Sequence, residues 1–484
     1  MNYAMNSSLD YSKEEFSKLL DSCNQLVLDQ FESLEEKPAY HAFSQKEVES
    51  WFEEALPTNG MDIQELMKLV KSKVMDTATN NLGPYMYAYV MAGGTQVSVI
   101  AETLAATINQ NVGKWHLAPA INEIEKRVID WGGEITGFGK NAAGVLVSGG
   151  SAANLAGLAV ARNIFFEKED VRKNGLFNIR PFTIYASAEV HGCVDKSVEE
   201  LGIGTNQLRK IPTNKQFQID LKALRDQIEK DLKTGYTPFC IVGTAGTVNT
   251  GAIDDLNALA DIADHYHMWY HIDGAYGGLL GSLTSLKEKY QGIERADSLA
   301  VDFHKWLYQT FEGGCLLVRD WDKLKRSYFK VASYLDAKME EAGRINFNEH
   351  YFQLSRNAKA LKIWMSLKAY GIQAIKSMIQ KDIDLARYLS DKMEAHPDFE
   401  LIARSDLAIS CFRYTKGQDS EEKIETFNKK LIQALEKDGR VFITGTTIHG
   451  KFVIRACLIN HRMNTKTVDY LIRVIEEVAA LQKL

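Results

Sequence analysis

Residues 298–308, SLAVDFHKWLY, decide how the rest of the chain is read. The run begins as a continuously apolar strand and then sets Asp302, His304 and Lys305 almost side by side. An ammonium at the end of a buried strand costs free energy unless it is paired or chemically altered. As a solvated loop the same residues need no explanation, so the case for a site rests on what surrounds them.

From about residue 95 to residue 320, short apolar runs alternate with amphipathic helices. The runs are AAGVLVS, FTIYAS, PFCIVGT, MWYHID and SLAVDF; the helix DLKALRDQIEKDL puts Leu221, Leu224, Ile228 and Leu232 on one face. Strands that are apolar throughout are buried on both sides, as in a mostly parallel sheet covered by helices. The fold class is therefore α/β, with a mostly parallel central sheet and helices on both faces. Residues 1–95 read as a helical arm or layer, 96–365 as the large sheet domain and 366–484 as a small C-terminal α/β domain. Within these, about 357–396 reads as one long helical stretch. The last ninety residues read as strand, helix, strand pair, helix.

A net charge of −6 gives no basic surface for nucleic acid. The first residues lack a basic start followed by an apolar run, and no apolar stretch reaches membrane-spanning length. Six cysteines without a Cys-x-x-Cys pair read as reduced thiols, which points to the cytoplasm. The cluster HYHMWYH (His265, His267, His271) lacks the acidic and cysteine partners of a metal motif, so no metal site is expected.

In parallel sheets, ligands lie beyond the carboxyl ends of the strands. Four such ends carry groups that suit one chemistry. After GVLV comes SGGSAANLAGLAVAR, where Gly149 and Gly150 open a helix whose free N–H groups can hold a phosphate. Alone, this reads as an ordinary serine-capped helix after a turn. After FTIYASAEV comes His191, and after MWYHI come Asp273 and GAYGG. Alone, these read as a hydrogen-bonded core histidine and a salt-bridged or capping aspartate. With Lys305, the set is what pyridoxal phosphate requires. Lysine forms the covalent link to its aldehyde, and Asp273 keeps its ring nitrogen protonated. His191 lies on one ring face, with Ala275 packed against the other.

At this point the sequence resembles the group II pyridoxal phosphate decarboxylases, which act on aromatic L-amino acids, glutamate, diaminobutyrate or cysteine sulfinate. The matching text is VSGGSAANL, AEVHGCVDKSVEELGIG, GTAGTVNTGAIDDL, WYHIDGAYGG and ADSLAVDFHKWLYQTFEGGCLLVRD. The resemblance implies an aspartate-aminotransferase-like fold (fold type I) and a homodimer with active sites at the subunit interface. It implies that Lys305 carries the cofactor, that Asp273 pairs with the ring nitrogen and that His191 stacks on the ring. Gly150, Ser151 and Asp302 would hold the phosphate, with His304 beside it and Thr247 near the ring substituents. Ser355 would reach the partner subunit's phosphate. Tyr334, in VASYLDAKMEEAGRINFNEH, falls where the family returns a proton to the α-carbon; relatives with phenylalanine there make aldehydes.

The substrate side is less determined. Tyr85, Tyr87 and Tyr89 of GPYMYAYVMAGG would share one face if extended, and Tyr89 matches a pocket aromatic. NQNVGKWHLAPA would line the neighbouring subunit's site, with Gly113 opening space beside Trp115 and His116. Room with aromatic edges suits tryptophan, tyrosine or phenylalanine. Asp302 stands where animal members carry asparagine, a bacterial trait shared with relatives that take aliphatic substrates. An aminotransferase of this fold would need a carboxylate-binding arginine, for which Arg356 and Arg455 are the candidates.

Overall fold

The computed structural model describes residues 9–329 and 343–482, and a seven-stranded sheet lies at its centre. Its strands are β1 (Ala143–Val147), β2 (Phe182–Ser187), β3 (Leu208–Ile211), β4 (Thr237–Thr244), β5 (Trp269–Gly274), β6 (Ser298–Asp302) and β7 (Gly314–Val318). They are arranged β1-β7-β6-β5-β4-β2-β3. The strands from β6 to β3 pair in parallel, whereas β7 runs antiparallel to β1 and β6. β1 therefore points the same way as β6, and every strand except β7 delivers its carboxyl end to one edge.

Every residue of β1, β2, β5, β6 and β7 is buried. Glycines show which helix covers which face. A Cβ on Gly157, in the helix Gly150–Phe165, would meet Leu316, and one on Gly132, in the helix Pro119–Thr136, would approach Leu317. Consecutive strand residues point to opposite faces, so these two helices sandwich the sheet.

A second, antiparallel sheet holds β8 (Phe399–Arg404), β9 (Ile409–Tyr414), β10 (Thr444–Ile448) and β11 (Lys451–Cys457) in the order β10-β11-β9-β8. Helices Glu421–Asp438 and Thr465–Leu481 accompany it. The sequence reading lacked β3, β7 and β9. β3 is a polar edge strand whose Arg209 and Lys210 pair with Asp231 and Asp195. β9 hides a buried arginine, Arg413, satisfied by Glu400 and Glu421. The long helical stretch runs from Ala360 to Ala395 but breaks at Gly371, whose φ of 72° lies in the left-handed region.

Near the N-terminus, Ser12 and Glu15 form a capping box that starts the helix Lys13–Glu32. No residue of this helix, nor of Gln45–Trp51 or Ile63–Val70, is buried. Phe16, Leu28, Phe52, Leu66 and Val70 are exposed, so these amphipathic helices present uncovered apolar faces.

The tyrosine segment is not a strand. Tyr87 is fully buried with its hydroxyl on the Thr467 carbonyl (2.7 Å), and Tyr85 packs on Tyr470. Tyr89 turns away through a left-handed φ of 57° and is exposed. The three tyrosines therefore do not share a face. Backbone pairing at Met86–Phe442 and Tyr87–Phe442 anchors the segment to the C-terminal part of the chain.

Candidate active site

β6 ends at Asp302 and the chain turns at once into the short helix Phe303–Trp306. The turn is fixed by the Gly313 carbonyl, which accepts from the Phe303 N–H at 2.8 Å. The Gly313 N–H donates in return to His304 Nδ1 at 3.2 Å. His304 is thereby held as the Nε2–H tautomer, with Nε2 at 3.7 Å from Asp302 Oδ2. Burial, opposed by the Asp302 charge, keeps its basicity below the ordinary histidine range. Lys305 Nζ lies 2.9 Å from Asp302 Oδ2. Asp302 is buried, and its Oδ1 has no hydrogen-bond partner among the described residues.

Around this turn the same sheet edge gathers the other strand ends. Beyond β1, Gly149 precedes the helix Gly150–Phe165, and no side chain caps that helix. Close approach explains the glycines. A Cβ on Gly314 would lie 2.5 Å from the Gly149 Cα, and one on Gly150 would lie 2.7 Å from the Ala275 methyl and 2.9 Å from Asp302 Oδ2. Beyond β5, Asp273 is buried, and its Oδ1 accepts the Ala275 N–H at 3.1 Å. Past β2, His191 Nδ1 accepts the Cys193 N–H at 3.1 Å, which leaves Nε2 to carry the proton. Past β4, Thr247 is buried, and its hydroxyl accepts the Ala252 N–H at 3.1 Å.

These groups line one cavity of about 720 Å³, inside the roughly 300–1,000 Å³ range of small-molecule sites. Tyr89, Gly150, Ser151, His191, Thr247, Asp273, Ala275, Asp302, His304 and Lys305 all reach it. The sequence reading missed Cys193, Val248, Phe311 and Glu312, which also line it. Phe311 could have been found from the motif that follows Lys305, because its ring packs against His304 at 4.7 Å.

Three expected site residues lie elsewhere. Ser355 lines a separate cavity with Lys114, Arg162 and Tyr351. Trp115 donates its indole N–H to Glu123 at 2.8 Å, and His116 is exposed. Tyr334 lies outside the described residues. Gly113 does not open space: it is buried, and a Cβ there would sit 2.2 Å from the Leu354 carbonyl. That glycine is required by the chain's own packing.

Neither candidate arginine lines the cavity. Arg356 is buried in an ion pair with Glu125, and its guanidinium also donates to the Leu146 carbonyl at 2.8 Å. Arg455 donates to the carbonyls of Val248 (2.8 Å) and Tyr89 (2.9 Å), fastening two cavity walls to β11.

The histidine cluster divides. His265 and His267 are on the surface, whereas His271 is fully buried. Its Nε2 lies 2.8 Å from Asn154 Oδ1 and its Nδ1 2.8 Å from Ser298 Oγ. Asn154 also donates to Cys193 Sγ (3.3 Å), and the Trp269 indole donates to Ser298 (2.9 Å). An amide oxygen only accepts, so His271 carries its proton on Nε2 and accepts from the Ser298 hydroxyl. One neutral imidazole thus joins the Gly150 helix, the strand bearing Asp273 and the strand that leads to Lys305.

Burial lowers the His271 pKa from the ordinary 6.5 to about 3. As pH falls below about 6.5, the unfolded chain takes up a proton that the folded chain refuses, so stability is lost from there down towards pH 3. His271→Phe strands two buried polar groups and is expected to cost about 2–4 kcal/mol at pH 7. It should also make the acid-side loss shallower. Urea unfolding at several pH values reads both effects; an unchanged midpoint would remove His271 from the network.

The residues present fit pyridoxal phosphate. The uncapped helix start closed off by Ala275 is a cradle for an anion, a buried carboxylate stands two strands from β7, and an amine projects into the same cavity. Comparison with known proteins agrees. The Pyridoxal-dependent decarboxylase conserved domain matches residues 46–415. An aromatic-L-amino-acid decarboxylase of Bacillus atrophaeus is 33% identical over 98% of both chains. A phenylacetaldehyde synthase of Petunia hybrida is 27% identical over 91% of this chain and 90% of its own. The crystal structure of Catharanthus roseus tryptophan decarboxylase in complex with L-tryptophan superposes with a TM-score of 0.88 at 26% identity, covering 98% of this chain and 100% of that one. The fold is that of the fold type I enzymes, and the chain belongs to the pyridoxal-dependent decarboxylase family, as an amino-acid decarboxylase that uses pyridoxal phosphate.

Proposed function

We propose that this enzyme decarboxylates an aromatic L-amino acid (tryptophan, tyrosine, phenylalanine or a close relative) to the amine and CO2. The observation that carries the reading is the charge of the cavity wall. Among the described lining residues the histidines and Lys305 are the only basic side chains, and Tyr89, Val90, Met91, Val248 and Phe311 supply apolar surface. An acidic substrate side chain would find no arginine there, which disfavours glutamate and cysteine sulfinate. The end-to-end likeness to the Bacillus enzyme points the same way. The test is CO2 release with amine analysis across the common amino acids and their acidic and diamino relatives. The largest kcat/KM on glutamate or diaminobutyrate would overturn the aromatic assignment.

Bound pyridoxal phosphate supplies a ring that accepts the electron pair released when the bond from Cα to the carboxylate breaks. This chain's residues do the rest. Lys305 Nζ would hold the cofactor covalently. Asp273, whose Oδ1 is anchored by the Ala275 N–H, would keep a proton on the ring nitrogen. The N–H groups of Gly150 and Ser151 would hold the phosphate. The His191 ring, oriented through Nδ1, would cover one ring face, with its proton on Nε2. Apolar walls favour the loss of charge as the carboxylate leaves.

Tyr334 is the proposed donor of the proton that returns to Cα. Tyr334→Phe is expected to divert most product from amine to aldehyde plus ammonia, read by chromatography. An unchanged amine yield would contradict that role.

The working unit is proposed to be a homodimer. The uncovered apolar faces of the N-terminal helices support this, and Trp115, His116 and Ser355 would then serve the partner's site. Among the described residues no helix is long and apolar enough to cross a membrane, and none of the six cysteines is paired. A cytoplasmic setting fits both.

A further inference from the structure

The resemblance assigns Asp302 to the phosphate, but the surroundings of its carboxylate suit another partner. Oδ2 accepts from Lys305 Nζ at 2.9 Å. Oδ1 is buried and accepts from no group among the described residues. The side chain also closes the floor of the helix-start cradle, 2.9 Å from where a Cβ on Gly150 would stand and 3.9 Å from one on Gly149. A carboxylate is an acceptor only, and so is a fully ionised phosphate, so the two cannot hydrogen-bond without a shared proton. Held side by side they repel, and for a buried carboxylate the repulsion is screened less than at the surface. His304 Nε2 lies 3.7 Å from Oδ2, and burial lowers the basicity of that ring. Asp273, Lys305 and Asp302 are the charged groups that share the cavity floor, with Glu312 at its edge.

We propose that Asp302 is the counter-ion of Lys305 in the cofactor-free chain and an opponent of the phosphate, so that it sets how readily the cofactor is taken up and released. Attachment requires a neutral amine. The Lys305 ammonium gives a proton to solvent, its nitrogen bonds the aldehyde carbon of the cofactor, and the aldehyde oxygen leaves as water. The nitrogen must also leave its 2.9 Å salt bridge to a buried carboxylate before it can reach the aldehyde, which retards attachment. Once the nitrogen is in the covalent link, Asp302 loses its salt-bridge partner while the phosphate arrives beside it. Both effects weaken the hold on the cofactor. Position 302 thus becomes a control on cofactor exchange that an asparagine would lack.

The inference rests on Lys305 and the Gly150 cradle being the cofactor site. Loss of the visible absorbance band in Lys305→Ala tests that separately. The experiment uses the full chain stripped of cofactor and titrated with pyridoxal phosphate. Affinity is followed by quenching of tryptophan fluorescence, and attachment by growth of the visible band.

Asp302→Asn, which keeps the shape, is expected to bind roughly tenfold or more tightly, about 1.4 kcal/mol, and to attach faster. Asp302→Ala should also bind more tightly than the parent. If Asp302→Asn binds equally or more weakly, as it would on losing a phosphate ligand, the proposal is overturned. It is overturned equally if asparagine tightens binding and alanine weakens it, because the gain would then come from a new amide contact. Failure here with the band intact in the parent chain sinks the role of Asp302 and leaves the site reading standing.

Discussion

Lys305→Ala is expected to abolish the visible absorbance of the purified enzyme and to reduce turnover by roughly four orders of magnitude or more. Three features of the chain concentrate that effect on one atom. The β6 strand and the Phe303–Trp306 turn make a rigid edge, clamped by the reciprocal contacts of Gly313 with Phe303 and His304. The Lys305 side chain lies half-buried in the same cavity as Asp273 and the Gly150 cradle. No other lysine lines that cavity among the described residues. The substitution has a second consequence in the cofactor-free protein. It leaves Asp302 buried beside a histidine that resists protonation, and removing one member of a buried pair costs about 3–5 kcal/mol. The cofactor-free variant should therefore unfold at lower urea concentration than the cofactor-free parent. Retained turnover at the parental rate would refute the assignment of Lys305.

Asp273→Asn carries the second largest expected effect, a fall in kcat of about 10²–10³-fold at saturating cofactor. The amide can keep the Ala275 N–H contact through its remaining oxygen, so the loop and the β5 end should stay in place. What it cannot do is hold a proton on the ring nitrogen by opposite charge. The loss should fall on kcat more than on KM, because the charge matters as electrons flow into the ring and little before. A cofactor analogue with a permanent positive charge at the ring nitrogen should restore much of the lost rate in the variant. If asparagine leaves kcat within twofold of the parent, Asp273 does not tune the ring.

The sequence displays this site well because its groups follow strands that are mostly apolar. β1, β2, β5 and β6 are buried on both faces, and polar or glycine residues cluster at or just beyond their carboxyl ends. β7 was hidden for a different reason. GCLLV reads as a continuation of the motif after Lys305, and only the pairing of Gly314 with Asp302 and Val147 shows that it separates β1 from β6. β3 and β9 escaped because their charged residues are neutralised by partners distant in sequence, such as Asp231 for Arg209 and Glu421 for Arg413.

Tyr85, Tyr87 and Tyr89 mislead by regular spacing. The left-handed turn at Tyr89 breaks the alternation, and no residue type at that position announces it. Gly113 misleads in the opposite sense, since a missing side chain suggests room where a carbonyl already stands. The network through His271 was beyond sequence altogether. Asn154 and Ser298 are brought to that ring by two different elements, and Cys193 meets Asn154 from a third.

One measurement bears most directly on the whole account. Borohydride reduction of the holoenzyme fixes the link between lysine and cofactor, and digestion with mass analysis then locates the added mass. A single modified peptide is expected, with the label on Lys305. A label on any other lysine, or none in protein that shows the visible band, would contradict it.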